Sequence, residues 1–352
     1  MASLTDLISA GIIEKDTNND ILWTWTYPSM PAIYKTLIMS KCGLDNDYGH
    51  HLVSFYYFHH HQSWFYLHHT DVFELPNLPK VKQFVIVLQT RDFNPEKYEN
   101  LSRILSKTFS ETGNPADMLR LYLSVLVKGM CSTEDNGTFI VRQFDKVAAY
   151  SCVPAKDVVK TFGLETILIY TALLLKKRIV VYHHGLDTLL WFVRALPAFV
   201  WHRQDWSIIY PYMQLTNNEI SELLSLPTYV AGFRDAGVEG RMELYDLFVN
   251  LPAIEITIAP HAKEIFAMTK THKEIAVFMS RQADNTELND KMFIKEISNK
   301  TNELLRSLRT FSVNSEFGQN IIKLSTLKEK KFAPALENFL WNLAVAEGYA
   351  NV

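Results

Sequence analysis

Residues 163–212, GLETILIYTALLLKKRIVVYHHGLDTLLWFVRALPAFVWHRQDWSIIYPY, decide the fold class of this chain. From Leu164 to Leu175 apolar residues fall on nearly every side, which predicts a helix buried all round. Lys176, Lys177 and Arg178 follow; cations there suit the negative end of a helix dipole and mark a sharp exit. Ile179-Val180-Val181-Tyr182 is a continuous apolar run, too short for a helix, and fits a strand covered on both faces. Gly185 opens a second helix, in which Leu186, Leu189, Leu190, Val193 and Leu196 recur at helical period. Pro197 helps to end it, and Ser207-Ile208-Ile209-Tyr210 predicts a second strand. Strand, helix, strand of this length is a βαβ crossover, expected to be right-handed. It is the kernel of an α/β layer.

The sequence after the kernel extends that layer. Asn217 to Leu226 predicts a short helix and Pro227 to Phe233 a strand. Leu244 to Leu251 and Ile254 to Ile258 predict two more strands, the last with one wet face because Glu255 and Thr257 alternate with isoleucines. From Pro260 the chain turns helical, with stripes at Ile294, Ile297, Thr301, Leu304, Leu308 and Phe311, and at Leu336, Phe339, Leu340, Leu343 and Ala346.

The sequence before the kernel reads differently. Gly11 to Asp16 and Ile21 to Tyr27 flank a polar, Asn-rich connection and predict a hairpin. Ser29 is placed to cap a helix running to about Met39. His51 to Tyr57 and Ser63 to Leu67 predict a second hairpin, and Phe84 to Leu88 a buried strand. Asn94-Pro95 and Asn114-Pro115 start two helices, with Gly113 between them. The expected fold is therefore α/β in two parts. Residues 1–150 form an α+β lobe with a mostly antiparallel sheet. Residues 151–352 form an α/β lobe with a central sheet, helices on both faces and a helical C-terminal region.

The chain has 352 residues, of which 48% are apolar and 21% charged, enough for a sizeable core. A net charge of −3 leaves no basic field for nucleic acid. The three cysteines, Cys42, Cys131 and Cys152, form no CxxC, so neither a disulfide framework nor a zinc knuckle is expected. No secretory leader and no membrane-spanning run is expected either, which predicts a cytoplasmic protein.

Motifs for chemistry are sparse. No GxxxxGK[ST] or strand-borne GxGxxG marks a nucleotide site, and no GxSxG marks a nucleophile, so no cofactor and no catalytic residue is predicted. Seven histidines lie between His50 and His69 without an accompanying HExxH pattern. They read as a solvated hairpin tip rather than a metal site, with titration near neutral pH as a minor role. Glu219 and Glu222 read as a solvated helix face. The segment Trp201-His202-Arg203-Gln204-Asp205-Trp206 is the most unusual part of the kernel. Its Trp201, His202, Arg203, Asp205 and Trp206 are interface-prone types and the candidate partner-binding residues, set against the plainer reading that both rings plug the core.

Four segments carry a resemblance. Glu165–Tyr182 (ETILIYTALLLKKRIVVY), Ala195–Pro211 (ALPAFVWHRQDWSIIYP), Leu226–Phe233 (LPTYVAGF) and Leu247–Leu251 (LFVNL) resemble the signature segments of the DENN-domain family. Asn250 stands where that family usually has an aspartate. GIIEKDTNNDILWTWTYPS, RDFNPEKY at Arg91 and PALENFL at Pro334 are similar to a small, single-domain member, so the likeness spans nearly the whole chain. The resemblance implies a longin-like N-lobe (uDENN), a cDENN region over about residues 151–260 and a helical dDENN region over about 261–352. It implies a regulator of Rab GTPases, a guanine-nucleotide exchange factor in late endosomal and vesicle traffic, recruited to late endosomes through partners. It also implies an alternative, a non-catalytic scaffold binding coiled-coil subunits of the endosomal retrieval assembly. The C-terminal stripes could then offer a groove, although packing inside the protein is the commoner fate of such stripes.

Overall fold

The computed structural model describes residues 6–45, 53–314 and 320–350. The chain divides into two compact units, Met1–Ala149 and Tyr150–Val352.

The first unit is built on β1 (Leu7–Asp16), β2 (Ile21–Tyr27), β3 (Phe55–His60), β4 (Ser63–Asp71) and β5 (Val81–Thr90), with α1 (Ala32–Lys41) between the hairpins. The strand order is β2-β1-β5-β4-β3, and every pairing is antiparallel. Asp16 fixes the first connection: its Oδ1 accepts the amides of Asn18 (2.8 Å) and Asp20 (2.9 Å). β5 carries the most apolar run, and Phe84 to Leu88 are fully buried at the sheet centre. α2 (Pro95–Thr112) and α3 (Pro115–Lys128) follow, punctuated as their Asn-Pro starts predict. The Asn94 Oδ1 accepts the Lys97 amide at 3.2 Å and the Asn114 Oδ1 that of Ala116 at 3.0 Å, while Gly113 and Gly129 end the helices at φ 62° and 69°. α1 differs from expectation. It begins at Ala32 with Pro31 at its N-cap and no side-chain cap, so Ser29 does not start it. A hairpin of β6 (Met130–Thr133) and β7 (Gly137–Ile140) closes the unit, with Asp135 and Asn136 in its turn.

The second unit opens with α4 (Lys146–Ser151, whose end it contains) and α5 (Ala155–Phe162). The kernel supplies α6 (Thr166–Leu174), β8 (Arg178–Tyr182), α7 (Leu186–Ala195) and β9 (Ile209–Met213). α8 (Asn217–Leu224), β10 (Tyr229–Phe233), β11 (Leu247–Asn250) and β12 (Glu255–Ile258) complete the layer. The sheet order is β12-β11-β8-β10-β9, with β11, β8, β10 and β9 parallel and β12 antiparallel at the edge. The two kernel strands are thus parallel, as expected of a crossover, but they are not neighbours, because β10 lies between them. β9 also starts two residues later than Ser207, because Asp205 turns the chain there: its Oδ1 accepts the Ser207 amide (2.9 Å) and hydroxyl (2.6 Å). The two later strands are shorter than their apolar runs, with Leu244 in a 3-10 turn and Ile254 outside β12 at φ 55°. Gly232 in β10 has a packing reason, since a Cβ there would collide with the Pro211 carbonyl oxygen and crowd Leu189.

α9 (Lys270–Asp284), α10 (Asp290–Arg309), α11 (Leu324–Glu329) and α12 (Pro334–Ala346) form the helical C-terminal region. Ile294, Ile297, Thr301 and Leu308 of one predicted stripe, and Phe339, Leu340, Leu343 and Ala346 of the other, are buried within the unit. These faces are spent on folding. No helix among the described residues is long and apolar enough to cross a membrane.

Candidate functional site

The Trp201–Trp206 loop leaves the end of α7 through a 3-10 segment, Leu196–Val200, and turns tightly at Gln204 (φ 46°). Trp206 is a core residue, 1% exposed. Its ring stacks on Tyr150 (4.1 Å between centroids, 9° between planes), and its indole N–H donates to the Arg194 carbonyl at 3.0 Å. Trp201 is half-buried and meets Trp206 edge-on at 5.9 Å.

Arg203 points into the unit. Its Nη1 donates to the Leu173 carbonyl (2.7 Å), and its Nη2 to the Leu174 carbonyl (2.6 Å) and to Glu347 Oε1. His202 Nε2 lies 3.1 Å from the same carboxylate oxygen. Burial pushes the Glu347 carboxyl up, but the His202 hydrogen bond and the Arg203 charge outweigh it and hold the group below the ordinary range. The guanidinium therefore joins three segments: the end of α6, the loop and the end of α12. Of the five candidate residues, His202, Arg203 and Trp206 converge on the interior, Trp201 flanks them, and Asp205 with Gln204 forms the exposed rim.

The histidine-rich hairpin is not a solvated tip. His59 and His60 are buried on β3, and His59 lies flat on Trp64 at 4.5 Å. His61 is the exposed turn residue at φ 51°. His69 shares a hydrogen bond of 3.1 Å with the Tyr56 hydroxyl. Burial, with Arg103 nearby, lowers His68 to about 4, and burial, with His68 nearby, lowers His69 to about 4. Both are therefore neutral at pH 7, and the expected titration near neutrality does not belong to them. His50 and His51 lie outside the described residues. Glu219 and Glu222 are buried rather than solvated; Glu219 Oε2 accepts the Gln214 amide at 3.0 Å.

One polar cluster has no motif behind it. Asp246, just before β11, accepts the Arg178 amide (2.8 Å), its Nε (3.3 Å) and its Nη2 (2.9 Å), and meets His261 Nε2 at 3.0 Å. Strand register places it there, since Leu247 pairs with Ile179. At the other end of β11, Asn250 Oδ1 accepts the Ala253 amide at 3.2 Å, a bond that an aspartate in its place would also make.

Comparison with known proteins identifies this architecture. Residues 154–260 match the family model described as "Stabilization of polarity axis". The chain is 44% identical to DENN domain-containing protein 10 of Danio rerio, over 99% of both proteins. It is 44% identical to the human protein of that name, over 97% of this chain and 96% of the relative. It is 34% identical to the Dictyostelium discoideum protein, over 98% of each. The chain belongs to the DENN domain-containing protein 10 family. The DENN relationship gives the buried kernel its place: it is the framework of the matched region, and the side chains converging on Glu347 brace it.

Proposed function

We propose that this protein regulates Rab-family small GTPases as a guanine-nucleotide exchange factor in late endosomal and vesicle traffic. The supporting observation is likeness to DENN domain-containing protein 10 relatives over nearly the entire chain, because the DENN family is generally associated with such exchange. We assign the first unit to the longin-like lobe, and the second to the cDENN region over about 151–260 and the dDENN region over about 261–352. Exchange forms and breaks no covalent bond. It requires only that the partner's nucleotide-free state bind better than its loaded state, which loosens the nucleotide by the same factor. Side chains for general acid–base or nucleophilic chemistry are not needed for it.

For the second unit's contribution we propose the Trp201–Trp206 loop. His202, Arg203 and Trp206 hold its shape from inside, and Trp201 and Asp205 present it. The cytoplasmic protein would reach late endosomes through its partners. The test is release of labelled GDP from a panel of purified Rab GTPases. Acceleration on one member is expected. No acceleration on any, together with tight binding to coiled-coil subunits of the endosomal retrieval assembly, would replace this reading with that of a scaffold.

A further inference from the structure

The helical C-terminal region gathers cations on one face of the second unit. Between residues 304 and 336 the sequence has six lysines and arginines against two glutamates, a local net charge of +4 in a chain whose net charge is −3. Arg306 and Arg309 lie in the last turn of α10, Lys323 precedes α11, and Lys328, Lys330 and Lys331 stand at its end; all six are exposed. Contacts between these segments draw them together. The Phe311 ring meets Phe332 edge-on at 5.6 Å, the Arg309 guanidinium lies over the Tyr349 ring at 4.6 Å, and the Tyr349 carbonyl accepts the Ile322 amide at 2.6 Å.

Elsewhere in the same helical region exposed lysines have a carboxylate at hand, Lys270 with Glu274 (3.8 Å) and Lys300 with Glu303 (3.2 Å). None of the six has one within ion-pair distance among the described residues. Like charges held side by side repel, and an anionic surface laid against the face relieves that repulsion. Residue type indicates which anion. Four of the six are lysines, hydrated point charges on flexible stems, with no rigid fork to match a single carboxylate. They suit a diffuse anionic layer better than a shaped protein partner. The half-buried rings of Phe311, Phe332 and Tyr349 between them suit the polar–apolar boundary of a bilayer.

We infer that this face docks directly on an anionic membrane surface, its cations meeting phosphatidylserine-type headgroups. The contact belongs to the chain itself, adds to recruitment by other proteins and does not depend on nucleotide exchange.

Co-sedimentation of the full chain with vesicles tests this. Binding is expected to phosphatidylcholine–phosphatidylserine vesicles mixed about two to one, and not to phosphatidylcholine alone. It should fall away between about 0.1 M and about 1 M salt, where the Debye length shrinks from about 10 Å to about 3 Å. Each lost cation weakens such binding about fivefold, so Lys328→Gln, Lys330→Gln and Lys331→Gln together should weaken it roughly a hundredfold. Lys80→Gln, Lys107→Gln and Lys128→Gln together, at exposed positions of the first unit, should leave it nearly unchanged. An unchanged unfolding midpoint shows that each variant is folded; Arg306→Gln with Lys323→Gln serves if the first triple variant is not. Absence of binding to the phosphatidylserine vesicles, or equal binding to phosphatidylcholine, overturns the inference. So does equal weakening by the two triple variants, which would mean that binding follows net charge alone. Lysine-dependent binding of poly-glutamate with the vesicles inert assigns an acidic protein and overturns it equally. GDP release in vesicle-free solution should be the same in wild type and the first triple variant. Its loss there would place this face in the GTPase contact instead of the membrane.

Discussion

Two clusters in the second unit use the same three side-chain types, an arginine, a histidine and a carboxylate. Arg178, His261 and Asp246 meet at the start of the parallel strands; Arg203 and His202 of the loop meet Glu347 where α6 and α12 end. In the first, Asp246 takes the Arg178 amide, Nε and Nη2, the Nη1 goes to the Glu243 carbonyl close by in sequence, and His261 stands half in water. In the second, Arg203 divides itself between Glu347 and two helix carbonyls, and all three side chains are largely covered. One cluster therefore reinforces a pairing that the strand ladder already fixes. The other supplies a connection between distant segments that no backbone ladder supplies.

That difference sets the order of expected effects. Arg203→Ala leaves the covered Glu347 carboxylate with His202 alone and removes the side-chain donor from the Leu173 and Leu174 carbonyls. Removal of one partner from such a pair costs about 3–5 kcal/mol, which lowers the melting temperature of the second unit by roughly 10 °C. Differential scanning calorimetry measures it, and a shift of a degree or two would mean that water replaces the guanidinium. Asp246→Asn is expected to cost about 1–2 kcal/mol, because the amide keeps one acceptor for Arg178 and solvent reaches the cluster.

Acid separates the two clusters further. Both carboxyls are held low despite burial, Asp246 chiefly by its Arg178 bonds and Glu347 by His202 and Arg203. A depressed carboxyl contributes stability that is present above its unfolded value and is lost as pH falls through the folded value. Wild-type protein should therefore lose stability as pH falls below about 4. Glu347→Gln should flatten that loss more than Asp246→Asn, as read from urea midpoints across the acid range. Equal flattening would make the two clusters energetically alike.

How much of this was legible depends on whether the signal was local. The kernel helices and strands and the Asn-Pro starts each follow from a few adjacent residues, and they form where expected apart from the later start of β9. The insertion of β10 between β8 and β9 has no local signature, because strand order is settled by long-range pairing. The cations after α6 show the same boundary. Arg178 was expected to serve the helix end, yet it turns to Asp246, and the cation at the last carbonyls is Arg203, from 30 residues along the chain. Of the candidate partner-binding residues, the sequence marks Trp206 and Arg203 as unusual but cannot say which way they point. Burial decides that, and it turns both inward.

The end of α6 also offers a gain of stability. Lys177 N–H bonds the Ala172 carbonyl (2.8 Å) and Lys176 N–H that of Leu173 (3.2 Å), a Schellman turn with Lys176 at φ 51° where glycine is favoured. Lys176→Gly should stabilise the protein by about 0.5–1 kcal/mol, the relief at positive φ exceeding the entropy that glycine adds to the unfolded chain. The gain should persist in an Arg203→Ala background. Its disappearance there would show that the arginine, rather than the turn, sets the helix end.

The smallest expected effect on folding is the most informative about function. Asp205 is exposed, and among the described residues its carboxylate is engaged only with Ser207, two residues away. Asp205→Asn keeps an acceptor for the Ser207 amide, so stability should change by less than about 0.5 kcal/mol. If the loop meets a GTPase, removal of its outward charge should alter association rate and salt dependence more than dissociation, as it does for a charge at the rim of an interface. Stopped-flow association with the Rab that responds in the GDP-release assay measures this directly. An unchanged rate at low salt would confine the whole Trp201–Trp206 segment to bracing α6 and α12, and would move the GTPase contact elsewhere on the second unit.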